Sequence, residues 1–461
     1  MDFKGKRMLT IGAGISGFAA SLLAKRQGAK VVLSDAKQEK DIKQDFTPLR
    51  DAGIRLAFGP QDNSLLDGMD YVLLSPAVPE RIPLVKEARR RGIEVTTEIE
   101  MAYRLAESPI LAVTGTNGKT TTVTLLGLLM KTKYGDDKTG VGGNIGIPLV
   151  DEVMRVADGG CIAAEISSYQ LEATKEFRPH IAAILNVTPD HVVRHGSIEV
   201  YQQMKEKIFA QQTKDDFLVL NYDNDRTRKM EERAKNTNVM FFSRQEKLEQ
   251  GTFVDGDMLT IRLDGKTVKL CTTGELGIKG GHNVENALAA SLMAYLAGAD
   301  PEKMRVVLTS FTGVEHRIEP VTSINGVMYY NDSKATNTDS AIKALETFDG
   351  HIVLIAGGDD KMTDLTEFMG LVNERVDDLI LVGDAAQRFY KAAKAAGFSM
   401  SHVYGAGYSM ERAVEIAKGL AHEPQVVLLS PACASFDMYD SFEQRGRDFK
   451  EIVRRLAGKE A

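Results

Sequence analysis

The sequence has few cysteines and no long apolar run. Its three cysteines, Cys161, Cys271 and Cys433, are far apart and lack CxxC spacing, which argues against a disulfide framework or a metal knuckle. No apolar run approaches the roughly 18 residues that a membrane-spanning helix needs. The first apolar stretch ends almost at once in glycine, so neither a signal peptide nor a membrane anchor is expected. These absences predict a cytoplasmic protein without a membrane partner.

An excess of positive charge is also absent. The 57 lysine and arginine residues are outnumbered by 64 aspartate and glutamate residues, which gives a net charge of -7. The scattered lysines form no basic stripe of the kind that a phosphate backbone requires. Nucleic acid is therefore not expected as a partner.

Short β-branched runs alternate with helical segments throughout the 461 residues. This alternation predicts an α/β fold built from βαβ units with largely parallel sheets. Between Met240 and Thr273 the pattern changes to short alternating strands, which predicts a small antiparallel insertion. Three strand clusters, each with a glycine-rich turn, predict three domains at residues 1–97, 98–313 and 314–461.

The first glycine-rich turn joins the strand RMLTI to a helix through Gly12, Gly14 and Gly17. Glycine allows backbone N–H groups to approach a diphosphate at the start of a helix. Asp35 ends the next strand, where an acid can accept a hydrogen bond from a ribose hydroxyl or an imide N–H. The turn predicts a diphosphate nucleotide site without naming the nucleotide. The alternative is close packing of helix on strand with no ligand.

The second glycine-rich turn, GTNGKT, follows the strand ILAVTG and precedes another helix. It resembles a P-loop, although Val113 stands where the strict pattern has its first glycine. In such a turn the backbone amides hold phosphates, Lys119 reaches the terminal phosphate oxygens and Thr120 binds Mg²⁺. The turn predicts a nucleoside triphosphate site, and its predicted binding residues are Gly115, Thr116, Asn117, Gly118, Lys119, Thr120 and Thr121.

Other polar residues stand where a second group of ligand contacts is expected. Glu165 ends one strand and His191 follows another, so both fall where open α/β sheets bind ligands, and both are candidate metal ligands. A structural loop histidine is the alternative for His191. Asn283 and Asn286 lie three residues apart at the start of an apolar helix, and their amides could bind adenine. Helix capping is the alternative for this pair.

These residues resemble those of the Mur ligase family, the ATP-dependent amide ligases of peptidoglycan precursor synthesis. The resemblance covers the whole chain, and its motifs are GTNGKT, GGNIG (142–146), EISSYQLE (165–172), NVTPDH (186–191), GGHNVENALAA (280–290) and EHRIE (315–319). Within the family, YNDSKATN (330–337), AGGDDK (356–361) and SPACASFDMYDSFEQRG (430–446) are similar to members that add D-glutamate to UDP-N-acetylmuramoyl-L-alanine. The DNPR-type signature of members that add lysine or diaminopimelate is absent.

The resemblance implies a Rossmann-like UDP-binding domain, a P-loop-type central ATPase domain and a Rossmann-like C-terminal domain that receives the amino acid. The UDP-substrate residues that it implies are Gly14, Ile15, Ser16, Asp35, Ser75, Pro76, Asn144 and Ser167. Ala36 stands where other members carry a hydroxyl residue. The nucleotide residues that it adds on the C-terminal side are Arg317, Asp332 and Lys334.

The resemblance also implies two Mg²⁺ ions and a carbamylated lysine. One ion is expected at Thr120 and Glu165, and the other at His191 and carbamylated Lys205. Read without the resemblance, Lys205 would be a solvated helical lysine. The residues implied for binding D-glutamate are Thr336, Lys361, Ser435, Phe436 and Phe442. A monomer is expected.

Three other functions fit part of the sequence. A nicotinamide-dependent dehydrogenase explains the first glycine-rich turn but leaves GTNGKT, Glu165 and His191 without a role. A P-loop switch or assembly ATPase explains only the second turn. A folylpolyglutamate synthetase or another Mur ligase shares the chemistry, but the first of these has no use for a UDP-binding domain.

Overall fold

The computed structural model describes residues 3–42, 44–144, 146–156, 158–189 and 192–458. The chain forms two compact units. The first takes in the residues up to Leu276 together with Glu285–Ser310, and the second takes in Gly277–Val284 and the residues from Phe311 onwards. Within the described residues, two sheets belong to the first unit and one to the second.

The N-terminal sheet is parallel, with its strands in the order β3-β2-β1-β4-β5. The three inner strands are buried because their β-branched and leucine side chains pack on both faces of the sheet. The strands are β1 Arg7–Ile11, β2 Lys30–Asp35, β3 Arg55–Phe58, β4 Tyr71–Leu74 and β5 Glu94–Thr97, and the helices are α1 Ile15–Arg26, α2 Thr47–Asp51, α3 Pro83–Arg90 and α4 Glu98–Leu105.

The middle sheet has the order β14-β13-β12-β11-β10-β9-β6-β8-β7. Its strands are β6 Ile110–Thr114, β7 Thr139–Gly143, β8 Cys161–Glu165, β9 Ile181–Ile184, β10 Phe217–Asn221, β11 Asn238–Ser243, β12 Gly251–Asp255, β13 Met258–Leu263 and β14 Lys266–Thr272. The helices that follow these strands are α5 Lys119–Tyr134, α6 Leu149–Arg155, α7 Ser168–Leu171, α8 Val192–His195, α9 Ile198–Glu206, α10 Asp225–Arg228, α11 Gly281–Leu296 and α12 Pro301–Ser310.

The predicted antiparallel insertion extends this middle sheet. β13 pairs antiparallel with both β12 and β14, and β12 pairs parallel with β11. β14 therefore lies at one edge of the sheet.

The sheet of the second unit has the order β15-β16-β20-β17-β18-β19 and is parallel except for the β15–β16 hairpin. Two apolar clusters cover its faces. The strands are β15 Glu319–Ile324, β16 Val327–Asn331, β17 Ile352–Gly357, β18 Val376–Val382, β19 Val403–Gly407 and β20 Val426–Leu429, and the helices are α13 Thr338–Leu345, α14 Thr366–Arg375, α15 Ala386–Ala395, α16 Met410–Leu420 and α17 Phe442–Gly458.

The predicted α/β class with largely parallel sheets is confirmed. The predicted domain limits after residues 97 and 313 stay predictions. Among the described residues, no helix combines the length and the apolar character needed to cross a membrane.

Glu98 connects the last helix of the N-terminal sheet to the middle domain. Its Oε1 accepts a hydrogen bond of 2.8 Å from the backbone N–H of Val150, in α6. The side chain is 1% exposed, and burial raises the pKa of its carboxyl to about 7, with the nearby negative charge of Asp151 acting in the same direction. Burial therefore favours the protonated carboxyl, whereas the hydrogen bond from Val150 favours the ionised form and offsets part of this effect.

We predict that Glu98→Gln makes stability less dependent on pH. The folded pKa of about 7 lies above the ordinary value of 4.5, so the stabilising contribution of this carboxyl is complete below pH 4.5 and is lost as the pH rises through about 7. The neutral amide cannot ionise, so the variant should be more stable than the unaltered protein at about pH 8, by on the order of 2 to 3 kcal/mol.

Urea-induced unfolding of both proteins at about pH 5 and pH 8 measures this difference. Glu107→Gln, at an exposed position, serves as the control and should leave the pH dependence unchanged. The same loss of stability with rising pH in Glu98→Gln as in the unaltered protein would contradict the prediction.

Candidate active site

The side chain of Asp35 stabilises the first glycine-rich turn. Its Oδ2 accepts from the N–H of Ala13 at 2.9 Å, and its Oδ1 accepts from the N–H of Lys37 at 2.9 Å. A Cβ on Gly17 would lie 2.1 Å from the carbonyl oxygen of Gly12, so helix packing alone requires glycine at position 17. The predicted alternative of close helix–strand packing is thus part of the structure, and it leaves the start of α1 at Ile15 available to an anion.

Ser75 lies directly across from this turn. A Cβ on Gly12 would lie 2.7 Å from Ser75 Cβ and 2.9 Å from Val78 Cγ2, and Gly12 has φ of +99°. Pro76 follows at the carboxyl end of β4. The structure therefore brings together the predicted UDP-substrate residues of both strand ends. Gly14 and Ile15 are exposed there, and Ile15 is 66% exposed.

The second glycine-rich turn connects β6 to α5. Gly118, with φ of +84°, occupies the left-handed region just before the helix, and a Cβ there would lie 2.3 Å from Asn286 Oδ1. The ammonium of Lys119 folds back and donates to the carbonyl oxygens of Gly115 and Thr116, at 2.9 and 2.7 Å. Its charge is therefore held at the centre of the turn.

Asn186 fixes the backbone of this turn. Its Oδ1 accepts from the N–H groups of Thr116 and Asn117, at 3.0 and 2.9 Å, and its Nδ2 donates to the carbonyl oxygen of Asn117 at 3.2 Å. Sequence reasoning did not select this residue. The signal was available, because Asn186 is a polar residue just after a buried strand, as Glu165 is at the end of another.

Glu165 is the centre of a buried polar cluster. Its Oε2 accepts from Thr120 Oγ1 and its Oε1 accepts from Asn144 Nδ2, each at 2.8 Å. The residue is 2% exposed. The structure thus brings Thr120 and Glu165 together as predicted, and it places Asn144, predicted on the UDP-substrate side, on the same carboxylate. Thr121, also predicted to bind ATP, is buried beside Thr120, and its hydroxyl has no hydrogen-bond partner among the described residues.

Lys205 is buried next to the second glycine-rich turn, GTNGKT, here named the phosphate turn. It is 1% exposed, and its Nζ donates to the carbonyl oxygen of Gly115 at 2.8 Å and lies 4.2 Å from the ring centroid of Tyr201. The alternative of a solvated helical lysine is therefore wrong. A buried ammonium is unfavourable unless it is paired or altered.

His191, the other predicted ligand of the second ion, lies outside the described residues. Nearby, His195 packs between the rings of Tyr169 and Tyr201, with centroid distances of 5.4 and 5.3 Å. Its Nε2 lies 3.1 Å from Ser168 Oγ, and burial lowers the pKa of its imidazole. His195 is therefore a structural histidine that stabilises α7 and α8.

The other predicted ligand-binding residues, Asn283, Asn286 and Ser167, form hydrogen bonds with different groups. Asn286 Oδ1 accepts from Thr122 Oγ1 at 3.3 Å, whereas Asn283 Nδ2 donates to the carbonyl oxygen of Lys279 at 2.8 Å. The capping alternative fits neither contact, and the adenine role stays a prediction. Ser167 caps α7, because its hydroxyl accepts from the N–H of Gln170 at 3.3 Å.

In the second unit, Asp332 is buried at the end of β16. Its Oδ2 accepts from Ser430 Oγ at 2.8 Å and its Oδ1 from the N–H of Ile318 at 3.2 Å. Burial raises the pKa of this carboxyl to about 7, against the opposing charge of Arg317. Arg317 Nε is buried and, in the described part of the chain, has no hydrogen-bond partner. Lys334 Nζ lies 5.1 Å from the ring centroid of Phe442.

The residues of the second unit that are predicted to bind the amino-acid substrate differ in solvent exposure. Lys361 and Phe436 are exposed, Phe436 by 72%, whereas Ser435 is 2% exposed and Thr336 is partly buried. Sequence reasoning missed Arg445, which is 2% exposed and donates to the carbonyl oxygens of Ser333, Cys433 and Ala434 at 2.8, 3.1 and 2.9 Å. Arg445 thereby holds the backbone that precedes Ser435 and Phe436.

A phosphate-type turn beside a buried carboxylate, on parallel α/β sheets, defines a nucleotide-binding protein. Three family models match the chain: the Mur ligase MurD-like N-terminal domain at residues 6–97, the Mur ligase middle domain at 113–294 and the Mur ligase glutamate ligase domain at 316–433. The chain belongs to the Mur ligase family. The predicted family and the three-domain α/β fold are confirmed. This membership implies ATP and Mg²⁺ as cofactors.

Curated relatives match over nearly the whole length. The UDP-N-acetylmuramoylalanine–D-glutamate ligase of Thermoanaerobacter pseudethanolicus is 44% identical, covering 99% of this chain and 100% of the relative. The ligase of the same name from Koribacter versatilis is 42% identical, covering 100% of both chains.

Solved structures share the fold at lower identity. The UDP-N-acetylmuramate–alanine ligase of Thermotoga maritima has a TM-score of 0.60 and 20% identity, with 98% of this chain and 99% of the other covered. The MurF ligase of the same organism, in complex with ADP, has a TM-score of 0.59 and 17% identity, with 99% and 96% covered.

We predict that Asn186→Ala weakens nucleotide binding about tenfold or more, because the phosphate turn loses three hydrogen bonds that fix its backbone. Calorimetric titration with ADP and Mg²⁺ measures the affinity. Asn238→Ala is a matched control: Asn238 Nδ2 also donates to backbone carbonyls, those of Lys214 and Asp216, but at the amino end of β11. Equal affinities of the Asn186→Ala and unaltered proteins would show that the turn holds its shape without this side chain.

Proposed function

We propose that this protein is an ATP-dependent ligase that joins D-glutamate to UDP-N-acetylmuramoyl-L-alanine in peptidoglycan precursor synthesis. The observation that carries the proposal is the 39 to 44% identity, over at least 98% of the chain, to curated ligases of that name. The arrangement around the phosphate turn supplies a physical basis for the chemistry.

The reaction needs an activated carboxylate, because a carboxylate ion repels electrons of an incoming amine. In the proposed first step, the substrate carboxylate attacks the γ-phosphorus of ATP and ADP leaves, which gives an acyl phosphate. In the second step, the amine of D-glutamate attacks the acyl carbon and phosphate leaves. Phosphoryl transfer depends on positioning and on neutralising charge, and the ammonium of Lys119, centred in the phosphate turn, provides one positive charge.

The oxygen-rich cluster beside this turn suits Mg²⁺. Thr120 and Glu165 offer a hydroxyl and a carboxylate 2.8 Å apart, which are ligands that this ion prefers. We assign a first ion to these two residues and a second to His191 and Lys205. Mg²⁺, when bound, neutralises phosphate oxygens. Thr120 and Asn144, which donate hydrogen bonds to Glu165, are neutral, so neither balances the negative charge of a carboxylate that is to bind a cation.

Lys205 is proposed to be carbamylated. Its amine is buried against Tyr201 and the Gly115 carbonyl oxygen, where an ammonium would repel a metal ion. A carbamate forms from the neutral amine and CO₂, removes the positive charge and adds oxygen ligands.

The UDP-substrate is assigned to the N-terminal sheet. The start of α1, with Gly14, Ile15 and Ser16, offers helix N–H groups to the diphosphate. Asp35, Ser75 and Pro76 are assigned to the uracil side, and Asn144 and Ser167 to the muramoyl side.

The second unit is assigned the amino acid and part of the nucleotide. Exposed Lys361 gives a charge partner for the side-chain carboxylate of D-glutamate. We assign to the same substrate Thr336, Ser435, Phe436 and Phe442. Arg317, Asp332 and Lys334 are assigned to ATP, together with Asn283 and Asn286. The buried Nε of Arg317, which has no hydrogen-bond partner among the described residues, supports a ligand there. The domain limits 1–97, 98–313 and 314–461, the cytoplasmic location and the monomeric state are part of the proposal.

We predict that phosphate release from ATP requires UDP-N-acetylmuramoyl-L-alanine and is fastest with D-glutamate. A panel of D-glutamate, L-glutamate, L-lysine and diaminopimelate, assayed for phosphate release and for the amide product, tests both parts. Lys361→Met should raise the KM for D-glutamate about tenfold or more, because an ion pair to the substrate is lost. Lys391→Met, at an exposed lysine elsewhere in the same unit, is the control. Equal or faster turnover with L-lysine or diaminopimelate would refute the proposed specificity.

We predict that Lys205→Ala lowers phosphate release about 100-fold or more, because a ligand that supports charge neutralisation is lost. Added acetate should restore part of the activity by placing a carboxylate in the vacated space. Lys205→Arg should not respond, since its guanidinium stays protonated and offers no oxygen. The affinity for the UDP-substrate, measured by calorimetry, should survive in both variants. Full activity of Lys205→Ala without added acid would exclude the carbamate.

A further inference from the structure

Arg194 touches the backbone that follows β4. Its Nη1 donates to the carbonyl oxygen of Ala77 at 3.2 Å, and its Nη2 donates to those of Pro76 and Val78 at 3.3 and 3.4 Å. The turn formed by residues 75–78 belongs to the N-terminal sheet, whereas Arg194 lies in α8 of the middle domain. One guanidinium thus contacts three consecutive carbonyl groups of another domain.

The same guanidinium is fixed on its other side by Glu172. Nε donates to Glu172 Oε1 at 3.0 Å and Nη2 donates to Oε2 at 2.8 Å, and the guanidinium carbon lies 4.6 Å from the ring centroid of Tyr169. The side chains of Arg194 and Glu172 are only 14 and 15% exposed. The ion pair is therefore bidentate and largely shielded from solvent. Such a pair fixes the guanidinium more firmly than an exposed surface ion pair, which contributes little to stability.

The turn that Arg194 contacts packs against the first glycine-rich turn. The N–H of Ser75 donates to the carbonyl oxygen of Ile11 at 3.0 Å, and the N–H of Val78 donates to that of Ser75 at 2.9 Å. Ser75 and Val78 also leave no room for a Cβ on Gly12. A shift of the 75–78 turn would therefore displace the first glycine-rich turn, which packs directly against it.

We propose that Arg194 is a positioning residue that fixes the 75–78 turn, one wall of the UDP-substrate pocket, to the helices that follow Glu165 and the NVTPDH segment. The inference rests on the proposed function, because it takes this turn as part of the UDP-substrate site. Arginine is required since its planar fork supplies donors to Glu172 and to the carbonyl groups at once, which a lysine ammonium cannot do. Arg194 thereby sets the position of the substrate relative to the phosphate site.

The first test needs no ligand. Amide hydrogen exchange of the 75–78 turn should become about tenfold faster or more in Arg194→Met, because the carbonyl groups of the turn lose their hydrogen bonds to the guanidinium. Arg178→Met is the matched control, since Arg178 is 43% exposed and pairs with Asp216 at 3.5 Å, away from the turn. Unchanged exchange at Ser75 and Val78 in Arg194→Met would overturn the inference.

The second test is calorimetric. Arg194→Met should bind UDP-N-acetylmuramoyl-L-alanine about tenfold more weakly and ADP with nearly unchanged affinity, and Arg194→Lys should fall between it and the unaltered protein. Equal losses for both ligands, with a lower unfolding temperature, would mean that Arg194 only supports the fold and would overturn the inference. An unaltered protein that binds no UDP-substrate would instead refute the proposed function, whatever the exchange experiment shows about the turn.

Discussion

Two hydrogen bonds hold the carboxylate of Glu165 at the carboxyl end of β8, one from Thr120 and one from Asn144. Thr120 lies in the first turn of α5 and Asn144 follows β7, so three segments meet at this one side chain. They meet because parallel strands end at the same edge of a sheet. The residue is 2% exposed, and a buried charge of this kind needs compensation. Since both donors are neutral, the negative charge remains available to a cation, and the phosphate turn lies beside it.

The phosphate turn depends on a neighbouring strand for its shape. Gly118 can adopt its left-handed conformation without strain, but glycine alone would leave the backbone free to choose others. Asn186, the second residue after β9, binds both the N–H and the carbonyl group of Asn117. The turn is thus flexible by sequence and fixed by tertiary contact.

The features that could be predicted from the sequence are those that depend on neighbouring residues. The alternation of strands and helices and both glycine-rich turns follow from spacing and from strand ends, whereas the pairing of Thr120 with Glu165 was expected from the family resemblance. Asn186 and Arg194 were missed because the backbone groups that they bind lie 69 to 118 residues away in the sequence, and no periodicity encodes such pairs. Lys205 shows the same limit: its helix spacing fits a solvated lysine, and only the tertiary packing buries it to 1% exposure.

The outer strands of two sheets bear on how separate copies of this chain behave at high concentration. β14, at an edge of the middle sheet, exposes Lys266 and Lys269, and β15, at an edge of the second unit's sheet, contains Pro320. A further strand added to β14 would crowd these ammonium groups, and one added beside β15 would find no N–H at Pro320. Both edges therefore disfavour continuous sheets between molecules, which protects the protein from aggregation through these strands.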